Sequence, residues 1–130
     1  MFDYYTWLYY GREIYNMQAL FEKNDINSEE LQTLLQSRDE GKTDFLLVDV
    51  REYMEYRLGH IKGVDMLKPT SSFQQWAQEF FDENKDKAVV FTCRTGNRSG
   101  QVQNIFRRHG HKQVLNHFGG IVTYRGEIEK

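Results

Sequence analysis

The 130-residue chain has one cysteine, which excludes an internal disulfide from its folding. It has no stretch of the ~20 consecutive apolar residues that a membrane-spanning helix needs. It has no excess of positive charge. Seventeen Lys and Arg stand against 19 Asp and Glu, a net of −2 with the signs mixed, which argues against a nucleic-acid footprint. The opening residues, Met1-Phe2-Asp3-Tyr4-Tyr5-Thr6, lack the basic start and clean apolar run of a signal peptide. There is no internal repeat, no low-complexity tract, no dividing linker, and no cluster of side chains at metal-ligand spacing. The expectation from these absences is a soluble cytoplasmic protein with no metal, no cofactor, no membrane and no nucleic acid. Apolar residues make up 39% of the chain, enough at this length for one domain with a real core.

What is present begins with aromatics. Phe2, Tyr4, Tyr5, Trp7, Tyr9, Tyr10, Tyr15 and Phe21 crowd the start of the chain. With Leu8, Ile14, Met17 and Leu20 they fit one or two amphipathic helices, with Gly11 as a weak point. Such a segment covers the main domain away from Cys93, or it serves as a contact between copies, since aromatics are enriched at interfaces. A homodimer through residues 2–21 is therefore one expectation. The division is an N-terminal aromatic helical extension over residues 1–25 and a domain over residues 26–130.

Beyond it, Asn27-Ser28-Glu29-Glu30 marks a helix start, with Leu31, Leu34 and Leu35 as its buried face. Asp44 to Val50 reads as a continuous apolar strand, as expected where both faces are covered. A short helical turn over residues 52–57 ends at Gly59, and residues 60–64 lead into a short strand. Ser71 or Ser72 caps a helix whose apolar side is Phe73, Trp76, Phe80 and Phe81. Ala88 to Thr92 is a buried strand, a helix begins near Ser99, Gln113 to Leu115 is a last strand, and Gly119-Gly120 opens a final helical turn. Strands alternating with helices predict an α/β layer fold with a mainly parallel central sheet flanked by helices. In such sheets the ligand site lies beyond the carboxyl ends of the strands.

Cys93-Arg94-Thr95-Gly96-Asn97-Arg98-Ser99 stands at such an end, between a strand and a helix. A tight loop there turns successive backbone N–H groups inward at the positive end of a helix and makes a cradle for an anion. A cysteine in that cradle has its thiolate, the reactive form, stabilised. Asp49 sits at another strand end.

Three motifs carry a family resemblance. Asp49-Val50-Arg51-Glu52, Glu55 and Gly59-His60-Ile61-Lys62-Gly63-Val64 resemble the first signature of the rhodanese family. Cys93 to Ser99 resembles its active-site loop, and Gly119-Gly120-Ile121 with Tyr124 resembles its closing motif. They occur in family order over about residues 26–127, and together they are specific where none is alone. Lys62 stands where the family usually has Pro, Asp65-Met66-Leu67 where a small polar stretch is usual, and Tyr124 where Trp is common. The resemblance implies a rhodanese-like fold and a persulfide carried on Cys93. It further implies that Cys93 would take sulfane sulfur from a small anion such as thiosulfate or polysulfide and give it to a thiol or cyanide. The substrate cradle is Arg94, Thr95, Gly96, Asn97, Arg98 and Ser99. Asp49, Arg51 and Glu55 support it, with Arg98 paired inward to Asp49 or Glu55 and Arg94 facing substrate. His60 is scaffold. His109 and His111 flank a helix end rather than forming a metal pair, and His117 has no evident partner.

Two other readings stay open. Phosphatases and arsenate reductases that resemble this fold have five residues between Cys and Arg. Here four, Arg94 to Asn97, separate Cys93 from Arg98, which favours sulfur over phosphate. A non-enzymatic persulfide carrier or docking module shares the same cysteine and is not distinguished by it.

Overall fold

The computed structural model describes residues 17–130. The aromatic residues Phe2 to Tyr15, and the expectation of a dimer contact through them, lie outside the described residues. Residues 17–21 are helical and are labelled α1. Phe21 is buried in the core, 5.8 Å from the Phe45 ring, and Met17 and Leu20 pack against the same cluster. This places the end of α1 beside Ala88 and Phe45, near the amino ends of the strands and opposite the end where Cys93 stands.

The rest follows as β1 (Asp25–Ile26), α2 (Ser28–Asp39), β2 (Leu46–Asp49), α3 (Tyr53–Leu58), β3 (His60–Ile61), β4 (Met66–Leu67), α4 (Phe73–Asn84), β5 (Val89–Thr92), α5 (Asn97–Arg108), β6 (Val114–His117) and β7 (Ile128–Glu129). Five strands form one sheet in the order β1-β6-β5-β2-β4, and every pairing in it is parallel. The α/β class with a parallel central sheet is thus as the sequence predicts. Residues 60–64 lead into a short strand as expected: β4, five residues after β3 ends, is the parallel edge strand, while β3 itself pairs antiparallel with β7 outside the main sheet. The edge strand β1 is a further element that the sequence did not announce. Strands of two residues carry too little periodicity to be read.

The central strands are buried on both faces, and the two-residue alternation sorts their side chains into two cores. Leu47, Val90 and Leu115 face Phe21, Leu31, Leu34 and Phe45, the layer of α1 and α2. Val48, Val89, Phe91 and Val114 face Trp76, Phe80, Val102 and Phe106, the layer of α4 and α5. Phe106 is the hub of the second layer, with the Phe91 ring 5.2 Å away edge-on and the Phe80 and Phe81 rings at 5.8 Å. Burying one such ring is worth about 1.5–3 kcal/mol.

Helix starts follow local chemistry. Asn27 accepts from the Glu30 amide at 2.8 Å, and the Glu30 carboxylate accepts from the Asn27 amide at 3.0 Å, a full capping box for α2. At α4 the expectation of a serine cap fails. A 3-10 turn over Thr70–Ser72 leads into the helix, and the Ser72 hydroxyl donates backward to the Pro69 carbonyl at 3.2 Å.

Candidate active site

Cys93 is the first residue past β5. The chain turns at Gly96, whose φ of +96° is open to glycine, and α5 begins at Asn97, two residues earlier than the sequence suggested. Gly96 is also tightly enclosed. A Cβ there would lie 3.1 Å from the Gly119 nitrogen and 3.2 Å from the His117 carbonyl oxygen, so the loop rests on the segment that follows β6.

The sulfur is held by donors. The Gly96 amide lies 3.1 Å from Sγ, the Ser99 amide 3.4 Å and the Ser99 hydroxyl 3.3 Å. Burial pushes the thiol pKa up. Hydrogen bonds from the Ser99 hydroxyl and from the amides of Ser99, Thr95 and Gly96 outweigh it, so the net shift is downward. Neither the Arg94 nor the Arg98 guanidinium is hydrogen-bonded to Sγ; its donors are amides and one hydroxyl, and Arg98 meets the thiolate through charge alone. The rate of Cys93 alkylation is expected to rise with pH to an inflection below the ordinary thiol value of about 8.5. An inflection at or above that value, read by iodoacetamide mass labelling, would contradict the cradle.

Ser99 has one proton and two acceptors. Its hydroxyl lies 2.6 Å from Asn116 Oδ1, closer than to Sγ. Asn116 in turn donates from Nδ2 toward the Gly96 carbonyl and Asp25 Oδ1, both at 3.2 Å. Asn116 therefore ties β6, the loop and β1 together around the serine. Nothing local in the sequence marks it, because its partners lie 17, 20 and 91 residues away.

The charges sort cleanly. Arg98 meets Glu55 in a bidentate pair at 2.7 and 2.9 Å, which drives the Glu55 carboxyl down to about 2. Asp49 is not the partner of Arg98, because Arg51 takes it. The Arg51 Nη2 lies 2.9 Å from Asp49 Oδ2, its Nε lies 3.1 Å from both oxygens, and Nη2 also donates to the Gly59 carbonyl at 2.7 Å. Arg94 is exposed, and its side chain makes no hydrogen bond or ion pair among the described residues. Thr95 and Asn97 are exposed too.

His117 overturns the sequence reading that it has no partner. It is fully buried at the end of β6, with Nδ1 2.7 Å from Thr92 Oγ1 and Nε2 2.7 Å from Ser28 Oγ. Ser28 Oγ lies 2.7 Å from Thr123 Oγ1, and Thr123 donates to the Gly120 carbonyl at 2.9 Å. That last bond fixes the direction of the whole chain. Thr123 spends its proton on Gly120, so Ser28 donates to Thr123, and His117 Nε2–H donates to Ser28. Nδ1 is then the acceptor for the Thr92 hydroxyl, and His117 is the neutral Nε2–H tautomer. Thr92 adjoins Cys93, so this line joins the strand before Cys93 to α2 and to the closing turn.

Burial holds the His117 pKa at about 4, against an ordinary 6.5. The unfolded chain takes up this proton near pH 6.5 and the folded one only near 4. Stability is therefore full above 6.5 and falls as the pH drops between those values, by about 3 kcal/mol for a shift of this size. Glu55 acts lower, its contribution present above 4.5 and lost as the pH falls toward about 2. Urea titrations of His117→Gln across this range should flatten the upper limb and leave the lower one. An unchanged upper limb would remove His117 as its cause.

His109 bonds the Ile105 carbonyl at 2.8 Å, as a helix-end histidine does. His111 differs from the expectation: it is buried, bonds the Lys87 carbonyl at 2.8 Å, and has its pKa lowered first by desolvation. Among the described residues no group of three or more His, Cys, Asp or Glu side chains is arranged to hold a metal ion. No helix among them is long and apolar enough to cross a membrane.

A parallel sheet that presents one thiol in an amide-lined loop at its carboxyl edge defines a small cysteine-loop α/β domain. The rhodanese-like domain model matches residues 30–127, and the chain belongs to that family. It is 32% identical over 120 residues to the rhodanese-like/PpiC domain-containing protein 12, chloroplastic, of Arabidopsis thaliana, covering 87% of this chain and 38% of that protein. It is 33% identical over 84 residues to a tRNA uridine(34) hydroxylase of Pectobacterium carotovorum, covering 62% of this chain and 23% of the relative. The chain thus spans well under half the length of these relatives. A solved rhodanese-like domain protein from Staphylococcus aureus superposes with a TM-score of 0.66 at 27% identity, covering 82% of this chain and 97% of that one.

Proposed function

We propose that the chain is a sulfurtransferase acting through a persulfide on Cys93. The carrying observation is the thiol itself, seated at the carboxyl end of β5 with two amides and the Ser99 hydroxyl on Sγ. The Cys93 thiolate attacks the outer sulfur of thiosulfate or polysulfide. A new S–S bond forms, the donor's S–S bond breaks, and its electron pair leaves with sulfite or the shortened chain. A thiolate or cyanide then attacks the outer sulfur of the persulfide and returns Cys93 to the thiolate. The outer sulfur extends the reach of the buried thiol by one S–S bond, about 2 Å. Arg94, exposed and unpaired, is the residue free to meet an anionic donor.

The phosphatase reading is disfavoured by Arg98. A phosphoryl-binding arginine has to offer its guanidinium fork to the ligand, and here Glu55 occupies that fork. The persulfide-carrier reading uses the same first step and parts from the enzyme only at turnover.

Intact mass before and after thiosulfate or polysulfide, followed by multiple-turnover transfer to cyanide or thiols, tests the proposal. Gain of one sulfur with turnover supports it, gain without turnover supports the carrier, and no gain overturns both. Arg94→Ala should raise the KM for thiosulfate and leave the melting temperature unchanged. Arg98→Ala should cost about 1–2 kcal/mol, between the exposed and buried limits for an ion pair, because each partner's side chain is about one-third exposed. Equal stability of Arg98→Ala and wild type in urea would show that the Glu55 pair does not brace the loop.

A further inference from the structure

Seven large hydrophobic side chains are exposed among the described residues, and five of them stand on two segments that flank the Cys93 loop. Tyr53, Met54 and Leu58 are on α3, and Phe118 and Val122 are on the turn after β6, each between 57% and 76% exposed. Contacts place both segments at the loop. Glu55 of α3 grips Arg98, the Val122 amide donates to the Arg94 carbonyl at 3.2 Å, and a Cβ at Gly96 would lie 3.6 Å from the Phe118 Cα. Single exposed apolar residues are ordinary, but a concentration around one reactive group is not.

Nor does α3 need these side chains to fold. None of its residues is buried. The Glu52–Glu55 capping box, the Arg98 pair and a Tyr56–His60 ring stack at 3.8 Å hold it. Its apolar side chains therefore point to something outside the domain.

Charge narrows what that is. Arg57 on α3, Lys68 just past β4 and Arg94 make no ion pair among the described residues. Of the acids on the same segments, Asp49 pairs with Arg51 and Glu55 with Arg98, and Glu52, bonded to the Ser71 hydroxyl, is one carboxylate against these three cations. The chain as a whole is net −2, yet this edge is left with unpaired cations. Aliphatic side chains at Met54, Leu58 and Val122 suit protein side chains better than bases, which stack on aromatic platforms.

We infer that this edge is a docking surface for a protein sulfur acceptor, whose reactive thiol sits on an apolar patch flanked by carboxylates. The inference rests on Cys93 being the sulfur site. The proposed occupant brings its thiol over Cys93 while its carboxylates meet Arg57, Lys68 and Arg94.

Binding is measured apart from chemistry. Fluorescein-labelled cysteine peptides, one flanked by Leu and Glu and one by Leu and Lys, are titrated by anisotropy onto Cys93→Ser protein at low salt. The acidic peptide should bind about tenfold more tightly or better, and Arg57→Ala with Lys68→Ala should remove that preference, while Phe118→Ser with Val122→Ser should weaken both peptides, at about tenfold per buried apolar side chain. On protein carrying Cys93, Phe118→Ser/Val122→Ser should leave persulfide transfer to free cysteine unchanged and slow transfer to the acidic peptide. Equal binding of the two peptides, or binding of both left unchanged by Phe118→Ser with Val122→Ser, overturns the inference. So does tighter binding of a single-stranded RNA oligonucleotide, or a dimer of the chain that the double variant dissolves. A protein that binds the acidic peptide but takes up no sulfur would retain the surface and refute the chemistry.

Discussion

Cys93→Ser is expected to reduce sulfur loading and transfer to the level of buffer alone. Only one thiol exists in the chain, and no other side chain can accept and release a sulfane sulfur. The fold should survive the change. The donors that meet Sγ are the Gly96 and Ser99 amides and the Ser99 hydroxyl, and a serine oxygen accepts from all three. Stability should therefore move by no more than about 1 kcal/mol, the net scale of one hydrogen bond. Intact mass after thiosulfate treatment, read beside a urea midpoint, checks both halves. A sulfur adduct on the serine variant would place the chemistry elsewhere.

Gly120→Ala is the second large effect, and it arises at a distance from the cysteine in sequence. A Cβ at Gly120 would lie 2.3 Å from the Arg94 carbonyl oxygen and 2.6 Å from the Thr95 nitrogen. Those are backbone atoms of the Cys93 loop, and they cannot rotate aside as a side chain would. The φ of +66° with ψ of −168° adds a conformational penalty, because that region is open essentially to glycine alone. Gly41 supplies the comparison, with a similar φ of +75° and nothing within 4 Å of an added Cβ. Gly41→Ala should cost about 1–2 kcal/mol, the conformational term alone. Gly120→Ala should cost about 3 kcal/mol or more, or displace the loop and change the alkylation rate of Cys93. Matching losses in the two variants, with an unchanged thiol, would show that the closing turn does not support the loop.

The sequence disclosed what is local. Val89 to Thr92 followed by a Gly-bearing loop and a helical pattern was enough to place Cys93, because strand, turn and helix each have a signature within a few residues. The Arg51–Asp49 pair is only two residues apart, yet it was missed, since the chain direction alone does not say which arginine an aspartate meets. Arg98 could have taken either acid, and only the packing of α3 against the loop decides for Glu55. Asn116 and His117 were further out of reach. Each reads as an ordinary polar residue at the end of a strand, and its meaning comes from Ser99, Gly96, Ser28, Thr92 and Thr123, which the fold collects from the length of the chain. The edge strands β1 and β7 were hidden for the same reason, being defined by partners rather than by pattern.

Most of the donors on Sγ belong to the main chain, and this separates two properties that mutation usually alters together. The ability to hold a thiolate is inherited from backbone shape, Gly96 and Ser99. The side chains of Arg94, Thr95 and Asn97 project outward from the same loop and are exposed. Under the proposed chemistry, substitutions at those three positions, by evolution or in a library, change what meets the sulfur and leave the main-chain donors beneath it in place.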